Sequence, residues 1–390
     1  MRCCAAQAPA ALRNQVLSNN PPKPSSLEAT LTRNWLRRGP LACALWPVSL
    51  LFRAVSGTRA ALFRAGWLAS SRLPVPVVVV GNIYIGGTGK TPLTIWLVQA
   101  LQARGMRPGV ISRGHGSAAD TAREVGRDST PAEVGDEPLL IRQRTGCPVM
   151  VGRDRAATGR ALLAAYPDLD VLLTDDGLQH YALQRDLEII LFDGRGAGNG
   201  WLLPAGPLRE PVSRRRDFTV INAPVLTDAL VRSVGCAPLA AIPEAGAASV
   251  RAQLPGSAAG HYPAPIRMTL AGSHAEQLAD RSRRKVLADL AQPGQRLAAA
   301  AGIGNPARFF GMLKAAGLNV QELALPDHHD FRDRPFAALH ADVILITEKD
   351  AVKCAQIEEL RGDPRLWVVP VTAHIDGALA DQIVEKCRGR

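Results

Sequence analysis

The run "PVPVVVVGNIYIGGTGKTPLTIWLVQALQARG", residues 74–105, constrains the fold more than any other part of the chain. Four consecutive valines read as a strand buried on both faces, the glycines after them as a tight loop, and Pro92 to Ala103 as a helix. Strand, glycine loop and helix in that order form a cradle for phosphate. Gly86, Gly87 and Gly89 let backbone N–H groups face the phosphates, Lys90 can bridge the β- and γ-phosphates, and Thr91 can offer its hydroxyl to Mg²⁺. The helix adds its N-terminal dipole, and Pro92 is tolerated there because its missing N–H would have had no partner. One position departs from the GxxxxGK[ST] spacing: the first glycine would fall where Tyr84 stands, with Gly81 earlier.

Strand and helix patterns alternate through residues 75–193. Strands are expected at Val77 to Gly81, Pro108 to Ser112, Val149 to Val151, Val171 to Thr174 and Leu187 to Phe192, with helices at Pro92 to Ala103, Asp136 to Thr145 and Arg153 to Ala164. This predicts an α/β fold with a P-loop NTPase-type, mostly parallel sheet covered by helices. Pro and Gly are frequent from 194 to 265. "QRLAAAAGI" (295–303), a helix from Pro306 to Ala316, "NVQELAL" (319–325) and "ADVILITEKD" (341–350) then suggest a second, smaller α/β lobe. The expected division is a flexible extension (1–34), an amphipathic membrane-associated segment (35–70), the P-loop core (71–193), the second lobe with connecting segments (194–350), and a C-terminal segment packing back on the core (351–390). A second lobe inserted within the first is the alternative.

The formal charge of +11 is unevenly placed: residues 1–73 hold ten Arg or Lys against the single acid Glu28, a net of +9 that leaves +2 for the other 317. A basic, apolar front end points to an anionic surface there rather than to a nucleic-acid groove, and the eighteen aromatic residues are not interleaved with a basic patch. The uncharged run Gly39 to Phe52 is fourteen residues, short of the roughly twenty needed to cross a bilayer, so no span is expected. Arg53, Arg59 and Arg64 punctuate Leu50, Leu51, Phe52, Val55, Leu62, Phe63 and Trp67, and Trp35, Trp46 and Trp67 suit an interface depth. Two readings stay open on these residues: a helix packed on the protein's own core, or one lying on a membrane surface.

Three further stretches carry charge. "LDVLLTDDGLQH" (169–180) delivers Asp175 and Asp176 at the C-terminal edge of an apolar strand, where a carboxylate can hold Mg²⁺ directly or through water; the bland reading is a turn, with His180 fixing it. "EVGDEPLLIRQRTG" (133–146) puts Asp136 and Glu137 at a helix start, as caps or as a carboxylate able to take the proton of an attacking hydroxyl. "LPDHHDF" (325–331) supplies Asp327, His328, His329 and Asp330, either as loop residues or as a His–Asp pairing that tunes such a base.

Together the phrases "VGNIYIGGTGKTP", "ISRGHG", "VGDEPLL", "VGRDR", "LLTDDGLQH", "FDGRGAGNGWLLPAGPLREP", "GIGNPARFF", "LPDHHDF" and "ITEKDAVK" resemble the tetraacyldisaccharide 4′-kinase family, the lipid A 4′-kinases, over roughly residues 35–370. The resemblance implies ATP- and Mg²⁺-dependent phosphorylation of the 4′-hydroxyl of a tetraacylated glucosamine disaccharide 1-phosphate. It implies a loop built on Gly81, Asn82, Gly86, Gly87, Thr88, Gly89, Lys90 and Thr91, which removes the anomaly at Tyr84. Asp136 is implied as the base, His328 as its partner with His329 the neighbouring alternative, and Glu137, Asp175 and Asp176 as carboxylates at the metal with Thr91. Arg155 and Arg209 fall at substrate or phosphate positions, with Asn199 and Glu210 supporting that loop. The implied setting is the cytoplasmic face of the bacterial inner membrane, with a peripheral or monotopic enzyme taking its lipid laterally and needing neither nucleic acid nor an obligate protein partner. The competing classes are a P-loop NTP-hydrolysing assembly or metal-insertion factor, and a non-catalytic membrane-bound nucleotide sensor.

Overall fold

The structure is a computed structural model that describes residues 34–114, 121–238, 262, 264–292 and 294–389. The front extension expected over 1–34 lies outside the described residues except for Asn34. Helix α1 (Pro40–Arg64) opens the described chain, followed by β1 (Val77–Gly81), α2 (Lys90–Gln102), β2 (Pro108–Ser112), β3 (Arg123–Glu124), α3 (Pro131–Val134) and α4 (Asp136–Thr145). Then come β4 (Val149–Val151), α5 (Arg155–Ala165), β5 (Val171–Asp175), β6 (Leu187–Asp193), β7 (Phe218–Asn222), α6 (Asp228–Ser233) and β8 (Ile266–Ala271). A second unit holds β9 (His274–Gln277), β10 (Arg284–Val286), β11 (Leu297–Ala301), α7 (Pro306–Ala315), β12 (Val320–Ala324), β13 (Val343–Thr347), α8 (Glu348–Cys354), α9 (Glu358–Arg361) and β14 (Leu366–Val369). The chain returns through β15 (Thr372–Ile375) and α10 (Ala378–Arg388).

The first sheet has nine strands in the order β15-β8-β7-β6-β1-β5-β2-β4-β3, parallel from β8 to β4 with an antiparallel strand at each edge. The second has six, β10-β9-β14-β13-β11-β12, with β14, β13, β11 and β12 parallel. The division expected from composition is therefore corrected in the middle of the chain. β7 and β8 complete the first sheet, β7 pairing along β6 from Ile189↔Phe218 to Asp193↔Asn222, and the second lobe is inserted between β8 and β15. Frequent Pro and Gly mark where the chain turns, but strand pairing decides which sheet a strand joins.

The four valines occupy the middle of the first sheet because their side chains alternate between two cores. Val78 and Val80 pack with Leu97, Val98 and Leu101 of α2, while Val77 and Val79 pack with Leu172, Phe192 and Ile221. Each such burial contributes about 1.5–3 kcal/mol, which is why no polar residue interrupts the run. In the second lobe β11 reads Leu-Ala-Ala-Ala-Ala, a strand made from good helix formers. Its small side chains let Phe309, Phe310 and Leu313 of α7 sit close against it, and that tertiary packing overrides local preference.

Helix α1 starts with Pro40 after Gly39 and runs 25 residues, continuing through Arg53. It is long and apolar enough to cross a membrane, so the fourteen-residue run understates the apolar helix. Only Ala42 and Ser49 are buried in it, while Val48, Leu50, Leu51, Val55 and, just beyond its end, Trp67 are exposed. Ser49 anchors the helix: its Oγ donates to the Leu202 carbonyl at 2.9 Å and accepts from the Ala205 N–H at 2.9 Å.

Candidate active site

The first-lobe site residues sit at the carboxyl ends of parallel strands, where open α/β sheets place their ligands. Register puts Val80 beside Asp175, so the loop leaving β1 and the aspartates leaving β5 emerge together. Asn82 is fully buried beneath the loop, with Nδ2 2.7 Å from the Tyr84 carbonyl, 3.1 Å from the Gly86 carbonyl and 3.1 Å from Thr88 Oγ1. Its Oδ1 accepts from Lys90 Nζ at 3.3 Å and from Arg209 at 2.9 Å. One amide thus fixes the curve of the loop and its lysine. Gly86 and Gly89 have φ of +99° and +103°, a region side chains disfavour, and a Cβ at Gly89 would lie 2.7 Å from Asn222 Nδ2. Helix α2 begins at Lys90 rather than Pro92, with Gly89 before it, so Lys90, Thr91 and Pro92 form its first turn. The positive end of the helix dipole therefore lies at Lys90, two residues earlier than expected.

Asp175 is buried, and its Oδ1 has no hydrogen-bond partner among the described residues. Burial first, then the negative charges of Glu137 and Asp176, push its carboxyl up to about 7 against the pull of Lys90 and Arg155. Asp176 adopts φ +50° and reaches Lys90 at 3.8 Å and Arg209 at 3.4 Å. An unpartnered buried carboxylate oxygen, with Asp176 and Glu137 near enough to act on its charge, offers hard oxygen donors of the kind that fit Mg²⁺. Arg155 is buried, donates to the Gly152 carbonyl at 2.7 Å, and is lowered to about 10 by burial despite the charges of Asp175 and Asp176. Glu210 accepts from Gln179 at 2.8 Å, Tyr181 at 2.7 Å and Arg214 at 2.6 Å, bracing the segment after the aspartates.

The second lobe presents its own carboxyl edge to the same cleft. Beyond β12, His328 adopts φ +60° and brings Nδ1 to 3.0 Å from Asp136 Oδ2, while Asp136 Oδ1 accepts from the Glu137 N–H at 2.9 Å. Asp136 therefore joins the start of α4 to the opposite lobe. Lys349 and Lys353, one turn apart on α8, stand 4.0 and 3.6 Å from the same oxygen. Burial opposes ionisation of Asp136, but the His328 bond and the two ammonium groups outweigh it and hold its carboxyl down at about 2. The bond to Asp136 raises the His328 imidazole above its ordinary value, against burial and Lys349. His329 points elsewhere: Nε2 lies 3.3 Å from Asp333, Nδ1 accepts from the Phe331 N–H at 3.0 Å, and the ring meets Phe331 edge-on.

Asn199 is not brought to this cleft. Its side-chain amide bonds the carbonyls of Ala205 (2.9 Å) and Arg37 (3.3 Å) and the N–H of Trp201 (3.0 Å), tying the loop after β6 to the residues before α1. Its amide is spent on backbone, which suits a brace. Sequence reasoning also missed Asn222, which donates to the Thr88 carbonyl at 2.9 Å, and Arg308 of α7, which donates to the same carbonyl at 3.1 Å and to Asp193 at 3.1 Å. The signal was available for two of these: Asp193 and Asn222, like Asp175, are polar residues ending apolar strands. Lys349 and Lys353 lay in "ITEKDAVK" without a recognisable role.

A glycine loop between a buried strand and a helix, an unpartnered carboxylate at the adjoining strand end, and a carboxylate–imidazole pair across the cleft define a P-loop phosphotransferase. Residues 41–388 match the sequence model of the family described as tetraacyldisaccharide-1-P 4′-kinase. A tetraacyldisaccharide 4′-kinase of Janthinobacterium sp. (strain Marseille) is 59% identical over 370 residues, covering 94% of this chain and 98% of that one. Another, of Herminiimonas arsenicoxydans, is 55% identical over 378 residues, covering 94% and 97%. The crystal structure of LpxK from Aquifex aeolicus in complex with ATP is 26% identical, with a TM-score of 0.66 over 89% of this chain and 99% of that one. The chain belongs to the tetraacyldisaccharide-1-P 4′-kinase family.

Proposed function

We propose that phosphoryl transfer takes place where the carboxyl edges of the two parallel sheets meet, with Asp136 accepting the proton of the attacking hydroxyl and His328 as its partner. The activity is that of the family: the γ-phosphoryl group of ATP passes to the 4′ position of the tetraacyldisaccharide 1-phosphate precursor of lipid A. The observation that carries the assignment of roles is the 3.0 Å contact between Asp136 on the P-loop lobe and His328 on the inserted lobe.

In this reading the loop amides of Gly86 to Gly89, Lys90 and the start of α2 hold the phosphates and stabilise charge developing on the γ-phosphoryl oxygens. The 4′ oxygen forms a bond to the γ-phosphorus, its proton passes to the Asp136 carboxylate, and the bond to the bridging oxygen breaks, its electrons leaving with ADP. A carboxyl near 2 is a weak acceptor, but the negative charge of bound phosphates raises it toward the task. Thr91, Glu137, Asp175 and Asp176 are the residues that would hold Mg²⁺, which supplies charge neutralisation on the phosphate oxygens. Arg209, already on Asn82 and Asp176, is placed to meet a phosphate, Arg155 serves as the buried counter-charge to the aspartates, and Asn199 braces the loop after β6.

We further assign α1 to the cytoplasmic face of the inner membrane, its exposed Val48, Leu50, Leu51 and Val55 in the lipid and its arginines toward anionic headgroups. That placement lets a four-chain substrate keep its acyl chains in the bilayer while its sugar reaches the cleft. The test is label transfer from γ-labelled ATP in detergent with Mg²⁺. Label at the 4′ position with wild-type protein and not with Lys90→Ala supports the reading; hydrolysis without labelled lipid opposes it.

A further inference from the structure

Lys349, which the sequence left without a role, stands at the centre of the contact between the lobes. Its ammonium lies 3.0 Å from Glu137 Oε1, 3.4 Å from Asp327 Oδ1 and 3.3 Å from His328 Nε2. An ammonium has three protons and no acceptor, so three protons meet three acceptors. In the neutral imidazole, Nε2 of His328 must then present a lone pair. The ring proton must sit on Nδ1, which faces Asp136 Oδ2 at 3.0 Å.

We infer that Lys349 is a positioning residue that locks His328 in the Nδ1–H tautomer, so that the imidazole donates to Asp136 and turns that carboxylate toward the attacking hydroxyl. The inference rests on the assignment of Asp136 and His328 as the proton-handling pair. The opposite tautomer would place an N–H against the Lys349 ammonium and a lone pair against the Asp136 carboxylate, so both contacts would become repulsive. Lys353 is engaged differently, meeting Asp136 and Asp350 at 3.6 Å each. His328 and Lys349 both belong to the inserted lobe, so the ring is oriented within that lobe, and its Nδ1 meets Asp136, as Lys349 meets Glu137, where the two lobes touch. The inter-lobe pair Arg144–Glu348, at 2.5 Å, holds the first residue of the same helix to α4.

The test uses the full chain in detergent, labelled with ¹⁵N-histidine, with His328→Gln to assign its ring signals. The wild-type spectrum is expected to show protonated Nδ1 and unprotonated Nε2 at His328, and Lys349→Met is expected to shift the ring toward Nε2–H. The same substitution should lower kcat about 100-fold, in the range of an acid–base contribution, while the KM for ATP moves less than about threefold. Lys349→Arg, which keeps a charged donor, should recover part of kcat. An Nε2–H tautomer in the wild type overturns the inference whether or not any variant folds, as does an unchanged tautomer in Lys349→Met. A tautomer that shifts as expected with kcat unchanged leaves the lock standing and refutes instead the catalytic role of the pair.

Discussion

Replacing Asp136 with Asn separates what this carboxylate does for catalysis from what it does for the fold. Asn keeps the volume and can still accept from the Glu137 N–H through Oδ1, but it removes the charge that faces His328, Lys349 and Lys353. The depression from 3.8 to about 2 already contains the opposing cost of burial, and at about 1.36 kcal/mol per pKa unit it is worth roughly 2 kcal/mol of native stability. The sign follows from linkage: a folded value below the unfolded one stabilises above pH 3.8 and loses that stabilisation as pH falls toward 2. Denaturant unfolding should therefore show Asp136→Asn destabilised by roughly 2 kcal/mol at neutral pH, with about half of that difference gone near pH 3. In the transfer assay kcat should fall by about 10² to 10⁴ while ATP binding is retained. A stability difference that does not shrink with acidification would refute the charge argument, and turnover near wild type would remove Asp136 as the base.

Three other perturbations separate the parts of the site. His328→Ala should lower kcat far more than His329→Ala, which should instead lower the unfolding midpoint because that ring packs on Phe331 and accepts from its N–H; the reverse order would exchange the two assignments. Gly89→Ala combines a φ of +103° with a Cβ 2.7 Å from Asn222 Nδ2 and should weaken ATP binding about tenfold or more by titration, since strain of about 1–2 kcal/mol falls on the loop; unchanged affinity would contradict the loop geometry. Leu51→Asp with Val55→Asp should cut binding to anionic vesicles by more than about tenfold while activity in detergent is kept, because each apolar side chain contributes about 1.5–3 kcal/mol when buried; equal vesicle binding would move the membrane contact away from α1.

The local chemistry was readable where a residue's neighbours in sequence are also its neighbours in space. The four valines, the glycine loop, Lys90 and the aspartates ending β5 are such cases, since one strand, one turn and one helix fix their relation. What escaped was whatever depends on the sheets' pairing. Nothing within "LPDHHDF" says which histidine turns inward; the structure brings His328 to Asp136 across 192 residues and Lys349 to Glu137 across 212. Asn222 was hidden because its strand lay in a segment read as connecting, and Arg308 because a basic residue on a helix face is ordinarily solvated. The length of α1 was understated by counting uncharged residues, whereas a helix carries an arginine such as Arg53 without breaking.

A double-mutant cycle on kcat with Asp136→Asn, His328→Ala and the combination tests whether the two lobes supply one proton-handling pair. If the residues act as a unit, the double variant is no slower than the slower single variant, so that the second substitution costs nothing once the first is made. Losses that multiply independently would contradict the pairing of Asp136 with His328 and return the two residues to separate roles.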